Sequence, residues 1–163
     1  MPNDSKSDEL FTHSYYQGIV VQLGNNKDKV KTYIPAQDKN KKFLEIELSK
    51  ITTYTTLPTF ANDVLLNKAK TVDVIWFNER NMPCGFYEIE HSTNITNSLD
   101  KFYELQDFRA DFRIVADSKR EQEFRDKISR SIYDPIRNLV RFISYDDISN
   151  QYEKERIVLT NTI

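Results

Sequence analysis

The sequence predicts an α/β fold, a mixed central sheet flanked by helices, and three observations point there. Stretches with apolar residues at helical spacing alternate along the chain with short runs of strand character. One of those runs, "TVDVIWFN" at residues 71–78, is apolar on both faces apart from Asp73, as befits a strand covered by helices on each side. At 163 residues the chain is long enough to bury a substantial core, and it contains no repeats. The expected organisation is a disordered polar tail over 1–8 and a single domain over 9–163.

Residues 8–26, "DELFTHSYYQGIVVQLGNN", space their apolar side chains as a helix does and stop at Gly24-Asn25-Asn26. "KVKTYIP" (29–35) alternates like a strand and meets Pro35. From 36 to 59 the chain is polar and lysine-rich, a loop with one short element around "FLEIELSKI". "ANDVLLNKAK" (61–70) reads as a short helix started by Asn62 or Asp63. After the strand at 71–78 comes the turn "NERNMP" and a second strand, "CGFYEIEH" (84–91), so the two form a hairpin or sheet neighbours. "TNSLDKFYELQDFRA" (96–110) is an amphipathic helix opened by a Ser/Thr/Asn cluster suited to capping. A buried strand "FRIVA" (112–116), a charged helix over 118–134, a strand "LVRFISY" (139–145) and a final helix "DDISNQYEKE" (146–155) complete the order.

Composition narrows the chemistry. Cys84 is the single cysteine, so no intrachain disulfide forms, and two histidines are too few for a cysteine–histidine zinc site. Gly18, Gly24 and Gly85 are the only glycines, which excludes dinucleotide-binding and phosphate-binding glycine loops. With no signal-peptide pattern and no apolar run of membrane-spanning length, a cytoplasmic, reducing setting is expected. Net charge is −2, yet residues 109–141 hold nine Lys/Arg against six Asp/Glu, and residues 24–50 hold seven against four. Two mildly basic segments thus flank an acidic centre, each of which reads equally well as a solvated surface.

That centre carries the chemistry. Glu88 and Glu90 lie two apart in a strand, so period 2 aims both at one face. Asp73 sits in the preceding strand, where an ionised carboxylate costs several kcal/mol unless it is paired or holds a metal. Three acids on adjacent strands resist ionising together. A divalent cation relieves that repulsion, since Mg²⁺ prefers hard oxygen ligands and keeps several waters. Such a cation polarises a phosphoryl oxygen and activates its water. The alternative is plainer: Asp73 pairs with a lysine, and the two glutamates face solvent.

These residues, an Asp on one core strand, a hairpin, and Glu-x-Glu where Glu-x-Lys is expected on the next, resemble the PD-(D/E)XK nuclease superfamily. The element order over roughly 8–144 resembles its restriction-endonuclease-like α-β-β-β-α-β core. "HSYYQGIVVQLG", "VDVIW" and "FYEIEHST" are similar to a group of prokaryotic nuclease-like domains in it. The resemblance implies Asp73 and Glu88 as metal-binding and catalytic acids, Ile89 as a backbone-carbonyl metal ligand, and Glu90 in the lysine position. It also implies an accessory polar residue on the first helix, for which Gln17 is the candidate. Two departures stand out: Val72 replaces the proline before Asp73, and Glu90 replaces the lysine. Some restriction enzymes resemble this pattern with glutamate in that place; otherwise Lys101, on the following helix, is the candidate replacement. Mg²⁺ is the expected cofactor, with Mn²⁺ as a substitute, and DNA the expected partner. A homodimer, and a partner protein or larger parent chain for recognition, are further expectations, with no membrane role. The competing reading is an inactive module of the same fold that binds nucleic acid or a partner protein.

Smaller expectations complete the picture. His91 points away from Glu90 and serves packing or capping; Ser92 and Thr93 cap the next helix; Arg120, Arg125 and Arg130 are available to phosphates or to solvent. The Asn94-Ile95-Thr96 sequon carries no meaning in a cytoplasmic setting.

Overall fold

Strand parity decides which side chains reach which layer, and it does so in a computed structural model that describes residues 2–161. The chain runs α1 (Pro2–Asn25), β1 (Lys31–Tyr33), β2 (Lys42–Phe43), β3 (Ile46–Glu47), α2 (Asp63–Ala69), β4 (Val74–Phe77) and β5 (Pro83–Glu90). It continues through α3 (Ile95–Glu104), β6 (Asp111–Ala116), α4 (Glu121–Ile128), β7 (Val140–Ser144) and α5 (Tyr145–Asn161). Five strands form one mixed sheet in the order β1-β4-β5-β6-β7, and β2 and β3 make a separate hairpin. β4 is antiparallel to both β1 and β5, while β5, β6 and β7 are parallel. The predicted α/β class, with a mixed sheet between helices, is what the chain adopts.

Alternate residues of each strand feed two cores. Ile75, Phe77, Phe86, Phe112 and Ile114 pack with α3 residues Leu99 and Phe102 on one face. Val74, Trp76, Tyr87, Ile89 and Val115 pack with α1 residues Ile19, Val20 and Leu23, and with Ile148 of α5, on the other. Both faces of β4 are therefore dry, which explains its unbroken apolar run. On β5 the row facing α3 starts with Phe86 and then turns acidic at Glu88 and Glu90. Glu88 and Glu90 share that face, as period 2 requires, and share a partner on α3, Ser98.

α1 is drawn close to the rest by glycine. A Cβ on Gly18 would lie 2.3 Å from the Phe43 ring, so only glycine lets the β2–β3 hairpin sit against the helix. Backbone helix begins at Pro2, within the stretch expected to be a tail; the side chains of residues 2–7 lie outside what is described. Among the described residues no helix is long and apolar enough to cross a membrane.

Four expectations need correction. The 36–59 segment is not loop with one element: it folds as a 3-10 turn at Ala36–Asp38, the β2–β3 hairpin and a second 3-10 turn at Leu48–Lys50. Helix α3 ends at Glu104, short of residue 110, because Phe108 turns back to pack on Phe60 and Phe86 at centroid distances of 5.3 and 6.0 Å. The charged stretch 118–134 holds only the short α4 between 3-10 turns, and Arg137 caps that helix by donating to the carbonyls of Ile128, Ser129 and Arg130. Asp73 stands one residue before β4 rather than within it, and its side chain keeps 18% of its surface exposed.

Candidate active site

The site begins with two reciprocal bonds between strands. The Asp73 amide donates to Glu88 Oε2 at 3.0 Å, and the Ile89 amide donates to Asp73 Oδ2 at 2.8 Å. Glu88 thereby fixes the main chain at Asp73, and Asp73 fixes it at Ile89, just where the β4–β5 ladder ends. In a strand a residue's N–H and C=O leave on the same edge, so the Ile89 carbonyl also faces the Asp73 side.

Helix α3 closes the site from one face. Asn94 opens the helix by accepting from the Thr96 amide at 3.0 Å, and Ile95, Leu99 and Phe102 bury its apolar stripe. Ser98 falls inside that stripe, a hydroxyl where an aliphatic side chain would otherwise pack. It donates to Glu88 Oε1 at 3.2 Å and to Glu90 Oε1, whose other oxygen accepts from Thr93 Oγ1. Lys101, one turn on, reaches in to place Nζ 2.8 Å from Glu88 Oε1 and 2.9 Å from the Thr71 carbonyl.

Helix α1 closes the other side. His13 Nε2 lies 3.4 Å from Asp73 Oδ2. Gln17, one turn later and fully buried, donates through Nε2 to the Asp73 carbonyl at 2.8 Å and to Asp38 Oδ2 at 3.0 Å. Asp38 in turn pairs with Lys41 Nζ at 2.7 Å. His13 Nδ1 and Gln17 Oε1 are buried without a hydrogen-bond partner, so this rim of α1 carries unused polar capacity.

Electrostatics drive the two central carboxylates apart. Burial opposes the charge of Asp73, but His13, the Ile89 amide and Lys101 together outweigh it and hold the group below the ordinary carboxylate range. For Glu88, burial and then the Asp73 charge outweigh Lys101 and the Asp73 amide and push the group well above that range. Lys101 resists its own burial because Glu88, Asp73 and Glu90 lift it, so it stays an ammonium. The upward shifts of Glu88 and Lys101 pull against each other across their contact. Asp73 reconciles them, since its charge supports the ammonium even when Glu88 is protonated. His13 is likewise raised: burial works against its charge, and the hydrogen bond and charge of Asp73 more than offset that.

The side chains open onto a cleft of about 220 Å³ lined by His13, Asp73, Glu88, Glu90, Thr93 and Lys101. An adjoining recess of about 180 Å³ shares His13 and Thr93 and adds Lys41. Among the described residues no three His, Cys, Asp or Glu side chains converge on one point as a metal cage. Asp73, Glu88 and Ile89 line the cleft together, and two carboxylates with a main-chain carbonyl would make a partial oxygen set of the kind Mg²⁺ completes with water. Glu90 is turned toward the Ser98 and Thr93 hydroxyls.

Asp73, Glu88, Ile89, Glu90 and Lys101 therefore meet in one cleft, and Gln17 braces the main chain behind it. His13 was missed by sequence reasoning, although it stands four residues before Gln17 on the same helical face. Ser98 was missed too; a lone hydroxyl in an apolar α3 stripe was its signal. His91 packs on Tyr145, with ring centroids 6.2 Å apart, in keeping with its expected packing role. The next helix is capped by Asn94 and not by Ser92 or Thr93, because the Thr93 hydroxyl is taken by Glu90. Arg120 donates to the carbonyls of Glu90, His91 and Thr93, so it ties down the β5–α3 connection. Arg125 pairs with Glu121 on the α4 surface, and Arg130 is exposed.

No curated protein and no solved structure matches the chain. The family model of the C-terminal domain of the type II restriction enzyme NmeDI matches residues 2–161. With the match running over nearly the whole sequence, this chain belongs to the family of type II restriction enzyme NmeDI C-terminal domains.

Proposed function

We propose that the chain is a Mg²⁺-dependent DNA endonuclease domain of the PD-(D/E)XK type, acting within a restriction system. The observation that carries this reading is the meeting of Asp73, Glu88 and Lys101 in one cleft of a restriction-enzyme-family domain, with Lys101 Nζ 2.8 Å from Glu88. Asp73, Glu88 and the Ile89 carbonyl would hold the ion, and Mn²⁺ would substitute. The raised affinity of Glu88 for its proton supports the assignment, because a buried carboxyl that resists charge beside another carboxylate is short of a cation. When bound, the ion supplies a polarised phosphoryl oxygen and an activated water. Lys101, cationic throughout, is a donor that orients the attacking water and offsets phosphate charge, the task that Glu90 in the lysine position cannot perform. Ser98 holds Glu88 at the cleft, and Gln17 holds the Asp73 main chain. Duplex DNA is the partner, the setting is cytoplasmic, and cutting both strands calls for a homodimer or a larger parent chain.

One observation favours the inactive-module reading. Lys101 Nζ lies 2.8 Å from Glu88 Oε1 with no metal between them, a contact that a purely structural pair would also make. Calorimetric titration of Mg²⁺ and Mn²⁺, followed by plasmid cleavage with the same samples, decides between them. Binding and cleavage that vanish together in Asp73→Ala support the nuclease. Absence of metal binding in the wild type hands the case to the inactive module.

A further inference from the structure

Helix α1 presents two adjacent stripes. His13 and Gln17 face the acidic cleft, while Ser14 and Gly18 hold the β2–β3 hairpin: Ser14 Oγ donates to the Lys42 carbonyl at 2.8 Å, and Phe43 packs against Gly18. At the hairpin base, Lys41 lines the recess that adjoins the cleft through His13, and the Lys41–Asp38–Gln17 chain of contacts leads to the Asp73 main chain. A polymer lying across the cleft and its recess would therefore run beside the base of the hairpin.

The hairpin itself is built against local preference. Phe43 pairs with Ile46 across a two-residue connection, Leu44-Glu45, with φ of 48° and 69°. Two consecutive positive-φ residues in a two-residue hairpin loop belong to Asn-Gly or Gly-Gly sequences, and a leucine there is strained. Strain of this kind persists where the side chains are needed for something else. Here those side chains are presented outward: Leu44 is 55% and Ile46 48% exposed, and Glu45 is exposed between them. Lys39, Lys41 and Lys42 stand at the base of the same ribbon.

The geometry points to the β2–β3 hairpin as a major-groove reading ribbon, with Leu44 and Glu45 as specificity-determining residues. This rests on the nuclease reading above. The major groove admits a two-stranded ribbon, a carboxylate accepts from the cytosine N4 amino group, and an apolar side chain meets the thymine methyl. The lysines behind the tip supply phosphate contacts that position without reading sequence. Glu45 at the tip fits this role and not a phosphate contact, which its charge would repel.

The test uses a duplex library with a randomised stretch, incubated with the chain and Mg²⁺, from which bound and cut duplexes are recovered and sequenced. Leu44→Asn with Glu45→Gly installs the preferred turn, so its thermal midpoint should rise above wild type while the base preference at the read positions falls at least fivefold. Glu45→Gln alone should shift the preference away from cytosine at one position. If both variants keep the wild-type preference, or if the wild type cuts with no preference at all, the hairpin is only a turn and the nuclease reading stands. If the wild type neither binds nor cuts any library member, the nuclease reading falls and the hairpin assignment falls with it.

Discussion

The cleft and the outer face of α4 pair the same residue types at nearly the same distances, yet they do opposite things. On α4, Arg125 meets Glu121 at 2.9 Å and Lys127 meets Glu123 at 2.9 Å, both four residues apart on one helix. These pairs form by local spacing, and the first is largely in water, so each contributes a few tenths of a kcal/mol. In the cleft, Lys101 meets Glu88 at 2.8 Å across two elements, beside Asp73 and with little solvent. There the charges cannot all be satisfied at once, and the mismatch is stored in the proton affinity of Glu88. Proximity of opposite charges is common to both regions; convergence of like charges out of water is what separates a site from a solvated face.

The contrast sets an order of expected effects. On the nuclease reading proposed above, removing Asp73 should be the most severe: Asp73→Ala should lower plasmid cleavage on the order of a hundredfold or more, read from initial rates. Arg120 lies between the two regions, since it pairs with Glu123 but also donates to three carbonyls of the β5–α3 connection. Arg120→Ala should cost about 1–3 kcal/mol in urea unfolding, more than truncating the α4 ion pairs, because three carbonyls of one connection lose a shared charged donor. Equal effects of Arg120→Ala and Arg125→Ala would erase the distinction between these two arginines.

Glu88 gives a prediction with the reverse sign. Its proton affinity is raised in the folded state, so the stability it contributes is present below its unfolded pKa and is lost as pH rises through its folded value. Asp73 is shifted the other way, so its contribution is present above its unfolded pKa and is lost as pH falls through its folded value. In chelator, Glu88→Gln should therefore raise the thermal midpoint, by more at pH 8 than at pH 5, and by roughly 1 kcal/mol of stability. A midpoint that drops at pH 8 would mean that Lys101 needs the Glu88 charge. The smallest effect belongs to the surface: Arg125→Ala should stay within about 0.5 kcal/mol of wild type in the same unfolding assay.

Much of this was legible beforehand because strand period is rigid. Two positions apart on β5 must share a face, so Glu88 and Glu90 could be placed together without coordinates. Asp73 stood out as the lone charge in an apolar run, and the helix after β5 was clear enough that Lys101 could be singled out. The contributions of α1 were harder. Which face of a helix meets a sheet depends on packing at Gly18 and Phe43, and no local pattern says that residues 13 and 17 will arrive at residue 73. The 36–59 segment was opaque for a related reason: Leu44-Glu45 is an unnatural choice for a tight hairpin turn, so the usual Asn-Gly cue was missing.

The bond from the Ile89 amide to Asp73 Oδ2 has a practical consequence. A charge-assisted hydrogen bond strongly polarises its donor, so the nitrogen-15 and proton resonances of that one amide depend on the state of the acceptor. Ile89 is thus an intrinsic spectroscopic probe of the aspartate. Anything that protonates, screens or recruits the Asp73 carboxylate will move the Ile89 backbone cross-peak, with no dye and no substrate.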